Sequence, residues 1–279
     1  MKTYLDCIPC FMDQALRAGR MVTDDEKEIK ELLDCVGDRI KHIPLEQTPP
    51  ETGAFIYQKV REITGVKDPY KNLKRESIKQ VLKLYPRLKN MVDSAADPLL
   101  TAIRLATIGN VLDLGIRNRY DLDAELAGVE KMEYAVFDYP VFRDQLARAN
   151  KILYIGDNAG ETVFDRLLIE TLGVPVTYAV REIPVINDAT EEEAVQSGIH
   201  EVADIISSGT TAPGTILDFC SEEFMKVFSE ADLVISKGQG NYEGLSGAGR
   251  HIFFILRAKC KVIARNLGVR ENDFIFKYS

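Results

Sequence analysis

Three short stretches of this sequence hold oxygen-bearing side chains and glycines in patterns that could do chemistry. The first is Gly156-Asp157-Asn158-Ala159-Gly160-Glu161, in which two glycines flank a carboxylate and an amide. Glycine permits a tight turn and close approach of a ligand to the backbone. A helix beginning near Glu161 would point free amides at the same place, an arrangement suited to phosphate. The second runs from Arg181 to Thr190 and contains Asn187-Asp188. The third is Lys237-Gly238-Gln239-Gly240-Asn241-Tyr242-Glu243, where an amine precedes two glycines whose amides could help to grip a phosphate. Asp157, Asn158 and Asp188 together form a set of hard oxygen ligands, suited to Mg²⁺ or Mn²⁺ rather than zinc. Each stretch also has a plain structural reading. Asp-Asn between glycines is ordinary turn chemistry, Asp188 ahead of Thr190 can belong to a helix cap, and Lys237 can be a solvated lysine.

What separates these readings is where the chain places the three stretches. From Lys151 onward, short apolar runs alternate with helical spacing. Ile152–Ile155, Val174–Val180, Val202–Ile206 and Leu233–Ile235 read as strands, Lys261–Ala264 as one more, and Phe274–Phe276 as an added edge strand. Glu161–Leu172, Glu191–Ser197, Glu222–Ser229 and Ala248–Arg257 read as helices. Such alternation predicts an α/β fold, a parallel sheet with helices on both faces. Ligands of open parallel sheets bind beyond the carboxyl ends of the strands. All three stretches follow predicted strands, so they fall on one edge of the sheet. Neighbouring parallel strands lie about 4.8 Å apart, which lets Asp157 and Asp188 meet over one pocket.

The first 150 residues read differently. Phe11–Ala18, Asp24–Ile40, Glu51–Ile63, Pro69–Leu84 and Pro98–Ile108 show apolar spacing of three and four, with Pro49 and Pro50 opening the third helix and Gly65 closing it. This predicts two parts, a helical region over 1–150 and a Rossmann-like domain over 151–279 that carries the metal site.

With 279 residues and 46% hydrophobic content, the chain is long enough to bury a sizeable core. Its net charge of −8 disfavours a nucleic-acid partner. Met1 to Cys7 contains no apolar run of signal-peptide or membrane-span length, which predicts a cytoplasmic protein without a membrane partner. Five cysteines, Cys7, Cys10, Cys35, Cys220 and Cys260, are an odd and sparse set that argues against a disulfide framework. His42, His200 and His251 form no cluster, and none reads as a catalytic base.

As a set, Gly156–Glu161, Asn187–Thr190 and Lys237–Glu243 resemble the motifs of the damage-control phosphatase family, long catalogued as domain of unknown function 89. Asp68-Pro-Tyr-Lys71, Gly109-Asn-Val-Leu-Asp113 and the Cys7-Ile-Pro-Cys10 of the prokaryotic-type branch add to the resemblance, which spans the whole chain. It implies a helical region on a Rossmann-like sheet and a Mn²⁺-, Ni²⁺-, Co²⁺- or Mg²⁺-dependent phosphatase acting on small phosphorylated metabolites, in a damage-control or house-cleaning role. It places the metal ligands on Asp157, Asn158 and Asp188, and the phosphate-contacting loop on Lys237, Gly238, Gly240 and Asn241. Whether an aspartate attacks phosphorus or a metal-bound water does so stays open, as do the substrate and the oligomeric state. Asn110, Asp113, Arg181 and Glu161 are expected to line the pocket and bind substrate or phosphate; Glu161 and Asp165, four apart on one helix face, are alternatively read as supporting it. Cys7 and Cys10 are read either as a functional pair or as a packed helix start with Pro9 in its first turn. Two rival readings are an S-adenosylmethionine-dependent methyltransferase and a non-enzymatic nucleotide-binding module. Against the first, the second strand ends in Val180-Arg181 rather than in an acid for ribose hydroxyls.

Overall fold

The computed structural model describes residues 1–109 and 126–279. Seven strands, β1 (Tyr134–Phe137), β2 (Ile152–Ile155), β3 (Val176–Val180), β4 (Asp204–Ser207), β5 (Leu233–Lys237), β6 (Phe253–Arg257) and β7 (Phe274–Tyr278), form one sheet in the order β1-β7-β6-β5-β2-β3-β4. Strands β2 to β6 run parallel. The β7 strand is antiparallel to β6, and β1 is parallel to β7. After β4 the chain crosses back to the far side of β2, so β2 and β5 flank the switch point at which a crevice opens.

Side chains alternate across a strand, and here they divide two cores. Ile152, Tyr154, Tyr178, Ile235 and Phe253 face one, whereas Leu153, Ile155, Ala179, Val234 and Phe254 face the other. The first core is closed by helices α4 (Lys71–Asp93), α5 (Pro98–Gly109), α6 (Tyr139–Leu146) and α7 (Thr162–Leu172), with α8 (Glu191–Gln196) beside them. The second is closed by α9 (Glu222–Glu230), α10 (Gln239–Leu245) and α11 (Lys261–Leu267). These are the three layers expected of the fold class.

Helices α1 (Cys7–Val22), α2 (Glu26–Ile40) and α3 (Pro49–Thr64) build a third core around Phe11, Leu32, Val36, Ile56 and Val60. Val185, in the loop after β3, plugs into it and fixes the bundle over the carboxyl edge of the sheet. Local signals start and stop α3. Thr48 and Glu51 form a capping box, Pro49 and Pro50 occupy the first turn, and Gly65 takes the left-handed conformation at φ 70°.

Four expectations are corrected. Phe253–Arg257 is a strand rather than part of a helix over 248–257, and Lys261–Leu267 is a helix rather than a strand. Residues 134–137 form a strand of the sheet, within the stretch read as helical, and this strand rather than Phe274–Tyr278 is the edge on that side. A strand covered on both faces is a continuous apolar run, which periodicity does not distinguish from a buried helix. Val262 and Ile263 suit strands, yet Gly268 at φ 70° caps a helix that buries Ile263 and Ala264.

Candidate active site

The loops after β2, β3 and β5, three adjacent strands, meet at the carboxyl edge. Two backbone hydrogen bonds join the first two loops. Ala159 donates to the Asn187 carbonyl and Ala189 to the Asp157 carbonyl, both at 2.8 Å. They hold Asp157 and Asn158 against Asp188, which forms an isolated bridge with Asn158. Ile186 sits at φ 47°, a left-handed conformation uncommon for a β-branched residue, in the turn that delivers Asp188.

Asp157, Asn158 and Asp188 are 9, 8 and 4% exposed at the floor of a cleft of about 640 Å³. Arg181, expected to line the pocket, instead lies beneath them, 2% exposed. Its Nε donates to Asp188 Oδ2 at 2.7 Å, and its Nη2 reaches Asn241 Oδ1 at 3.0 Å and Asp157 Oδ1 at 3.4 Å. Asn241 anchors the third loop to the first, donating to the carbonyls of Gly156 at 3.0 Å and Lys237 at 2.7 Å. Asn158 turns its amide nitrogen to Glu161 Oε1 at 2.6 Å, which leaves its amide oxygen for the cleft.

Burial, then Asp188 and Glu161, push the Asp157 carboxyl well above the usual carboxylate range. Burial also raises that of Asp188, against the pull of Arg181. A pair of desolvated carboxylates with one shared guanidinium is short of positive charge. A hard divalent cation fits that shortage, and the donors present, two carboxylates and an amide oxygen, are of the type it takes. Among the described residues no cluster of three His, Cys, Asp or Glu forms a metal site.

Lys237 lies elsewhere than on the cleft wall. It is fully buried, and its Nζ donates to Glu161 Oε2 and Asp165 Oδ1, both at 2.8 Å. Asp165 also accepts from Tyr154 at 2.7 Å and Tyr178 at 2.8 Å. Burial opposes the charge of Lys237, but the two carboxylates outweigh it and keep the ammonium protonated. Burial likewise works against ionised Glu161, yet Lys237 and Lys259 hold its carboxyl below its ordinary range. Lys237 thus holds Glu161, Glu161 orients Asn158, and the chain of contacts ends at the aspartates.

The glycines of the third loop serve packing. Gly238 has φ +81°, and a Cβ on it would fall 1.8 Å from Asp157 Oδ2. A Cβ on Gly240 would fall 2.2 Å from the Pro213 carbonyl, so this glycine admits the 213–215 segment, whose Thr215 donates to Asn241.

Cys10 lines the cleft, and Cys7 lines an adjoining one of about 520 Å³ with Glu243 and Cys260. Burial pushes both thiols up, away from the thiolate. Asp68 pairs with the buried Lys74 at 2.9 Å, and Lys74 with Glu193 at 2.8 Å, a link between α4 and α8. Tyr70 lines the cleft. Asn110 and Asp113 lie outside the described residues. Several cleft residues escaped sequence reasoning: Tyr57, Arg17 and Arg20 from the bundle, Lys259 after β6, and Tyr154, Tyr178 and Thr215 beneath it. A signal existed for the two tyrosines, since a hydroxyl on an interior strand needs a partner.

Residues 3–275 match the damage-control phosphatase ARMT1-like domain. The chain belongs to that family. It is 34% identical to the damage-control phosphatase of Pyrococcus horikoshii over 99% of this chain and 97% of that one. To the damage-control phosphatase of Archaeoglobus fulgidus it is 32% identical, over 97% of each. The crystal structure of a DUF89 family protein from P. horikoshii superposes with a TM-score of 0.89 at 32% identity, over 99% of this chain and 98% of that one. These relatives disfavour the methyltransferase reading, and Arg181 at the end of β3 is committed to the aspartates rather than replaced by an acid for ribose. No helix among the described residues is long and apolar enough to cross a membrane.

Proposed function

We propose that the chain is a divalent-metal-dependent phosphatase of small phosphorylated metabolites, working in the cytoplasm as a house-cleaning enzyme of the prokaryotic-type branch. The observation that carries this reading is the meeting of Asp157 and Asp188 at adjacent strand ends, with Asn158 between them, on the floor of a cleft of ligand size. In this reading Asp157, Asn158 and Asp188 hold Mn²⁺, Ni²⁺, Co²⁺ or Mg²⁺. The cation would offset the charge that spreads over the phosphoryl oxygens in the transition state.

The chain's own residues do the positioning. Arg181 fixes both carboxylates from below. Lys237 keeps Glu161 ionised, and Glu161 holds the Asn158 amide so that its oxygen faces the ligand. Lys259 lies on the cleft wall, close enough for its charge to favour the ionised forms of Asp157 and Glu161. We assign it the phosphate-facing charge that the sequence suggested for Lys237.

Asp157→Asn and Asp188→Asn should each lower Mn²⁺-dependent phosphate release by about 10² or more, the scale of losing a strong transition-state contact. Near-UV circular dichroism should stay that of the wild type. Either variant turning over at the wild-type rate in saturating Mn²⁺ would sink the assignment. Lys259→Met should lower kcat/KM by a similar factor with little change in Mn²⁺ affinity. Undiminished kcat/KM would remove Lys259 from the reaction.

A further inference from the structure

The cleft that holds the aspartates also has a cationic stretch of wall, supplied by the helical bundle. Helix α1 presents Gln14, Arg17 and Arg20 to it, and α3 presents Tyr57. Arg17 and Arg20 are three apart on the helix and so lie next to each other on one face. A cationic wall is unexpected on a chain of net charge −8.

Tyr57 is the second observation. It is 7% exposed, its ring packs in the core of the bundle, and it lines the cleft. Its hydroxyl makes no hydrogen bond among the described residues and is not one of the side-chain atoms sealed from solvent, so it stays open to a ligand in the cleft. Burial and the nearby Tyr70 and Asp188 raise its pKa, so it remains a donor. Arg17 pairs with Asp13 at 2.9 Å, with the two side chains 49 and 61% exposed. So exposed a pair contributes little, and the guanidinium is available for a ligand.

A phosphomonoester seated on the aspartate side already has its counter-charge there. Two guanidiniums and a hydroxyl donor on the bundle side of the cleft serve a different group, one that accepts hydrogen bonds and carries negative charge. We propose that Tyr57, Arg17 and Arg20 form a second anion subsite, and that the substrate class is a compact phosphomonoester with a carboxylate or a second phosphate at its other end. This rests on the phosphatase reading above and narrows it.

The experiment compares matched ligands on the full chain with Mn²⁺. Phosphate release from 6-phosphogluconate, which bears a carboxylate, is measured against glucose 6-phosphate, and a sugar bisphosphate is set against its monophosphate. The wild type should prefer the doubly anionic partner about tenfold or more in kcat/KM, the scale of a charge-assisted hydrogen bond. In Arg17→Ala/Arg20→Ala, and more weakly in Tyr57→Phe, that ratio should fall toward one. Which pair shows the larger ratio tells carboxylate from phosphate. Calorimetry with non-hydrolysable phosphonates, with and without the carboxylate, reads the subsite apart from turnover. No phosphate release from any substrate, with the carboxylate phosphonate still bound more tightly by wild type than by the double variant, overturns the phosphatase reading and keeps the subsite. Equal affinity for the two phosphonates, or a preference unchanged in the double variant, overturns the subsite.

Discussion

At the scale of single residues, the side chain that most needs its neighbours is Lys237. Two carboxylates and one ammonium sit together with no solvent exposure, and two tyrosine hydroxyls complete the shell of Asp165. Removing one partner of a buried ion pair leaves an uncompensated charge, at a cost of about 3–5 kcal/mol. Lys237→Met should therefore lose stability on that scale in urea unfolding, before any effect on turnover is considered. Adding Asp165→Asn removes one of the stranded carboxylates, so the double variant should recover part of the loss. A single variant with the wild-type urea midpoint would show that the network contributes nothing. The sequence marked Lys237 by its place after a strand and before a glycine, but burial is not written in such a motif. The partners that seal it arrive from β2, β3 and the start of α7, across separations of more than 50 residues. The meeting of Asp157 and Asp188 was legible because strand adjacency follows from strand–helix alternation alone, whereas Arg181, expected in the pocket, is turned beneath it to the carboxylates. Lys259 and Tyr57 were not legible, because neither the loop after β6 nor the seating of α3 over the cleft could be drawn before the elements were assigned.

At the scale of elements, α10 joins the site to the adjoining cleft. Its Glu243 accepts from Gln239 at 2.9 Å, and burial lifts its carboxyl from an ordinary 4.5 to about 7. The folded chain then keeps this proton to higher pH than the unfolded chain does. The stabilisation is complete below pH 4.5 and is lost as pH rises toward 7. Glu243→Gln should remove that slope, so the variant should gain on the wild type in urea midpoint between about pH 4.5 and 7. A difference that stays constant across this range would place the proton elsewhere. The same element shows where sequence patterns end. The strands β2, β3 and β5 and helices α1 to α5 were read from apolar spacing and from Pro and Gly punctuation. The β6–α11 pair was exchanged, because a doubly covered strand has no alternation to show and a seven-residue helix has too few turns to declare a period. At the sheet edge, β1 has only four residues, alternately half-buried and exposed.

At the scale of the whole molecule, three cores share the work unequally. Two flank the sheet, and α4 and α5 from the helical stretch belong to the first of them. The α1–α3 bundle keeps its own core and meets the rest through the loop after β3, through α3 against α10 and through Gly53 against Pro213. Segments that open independently do so at lower free energy than the global transition. Native-state hydrogen exchange should accordingly find the slowest amides of α1–α3 exchanging by a local opening, while those of β2, β5 and α7 require global unfolding. Identical exchange free energies in both sets would show one indivisible unit. With the aspartates rooted in the sheet and the second anion seated on α1 and α3, reaction and choice of substrate are inherited on different cores. Selection can then alter residues 1–64 and change which metabolite is turned over while the strand ends that hold the reaction stay untouched. A lineage with this architecture can explore new substrates in small mutational steps without passing through an inactive ancestor.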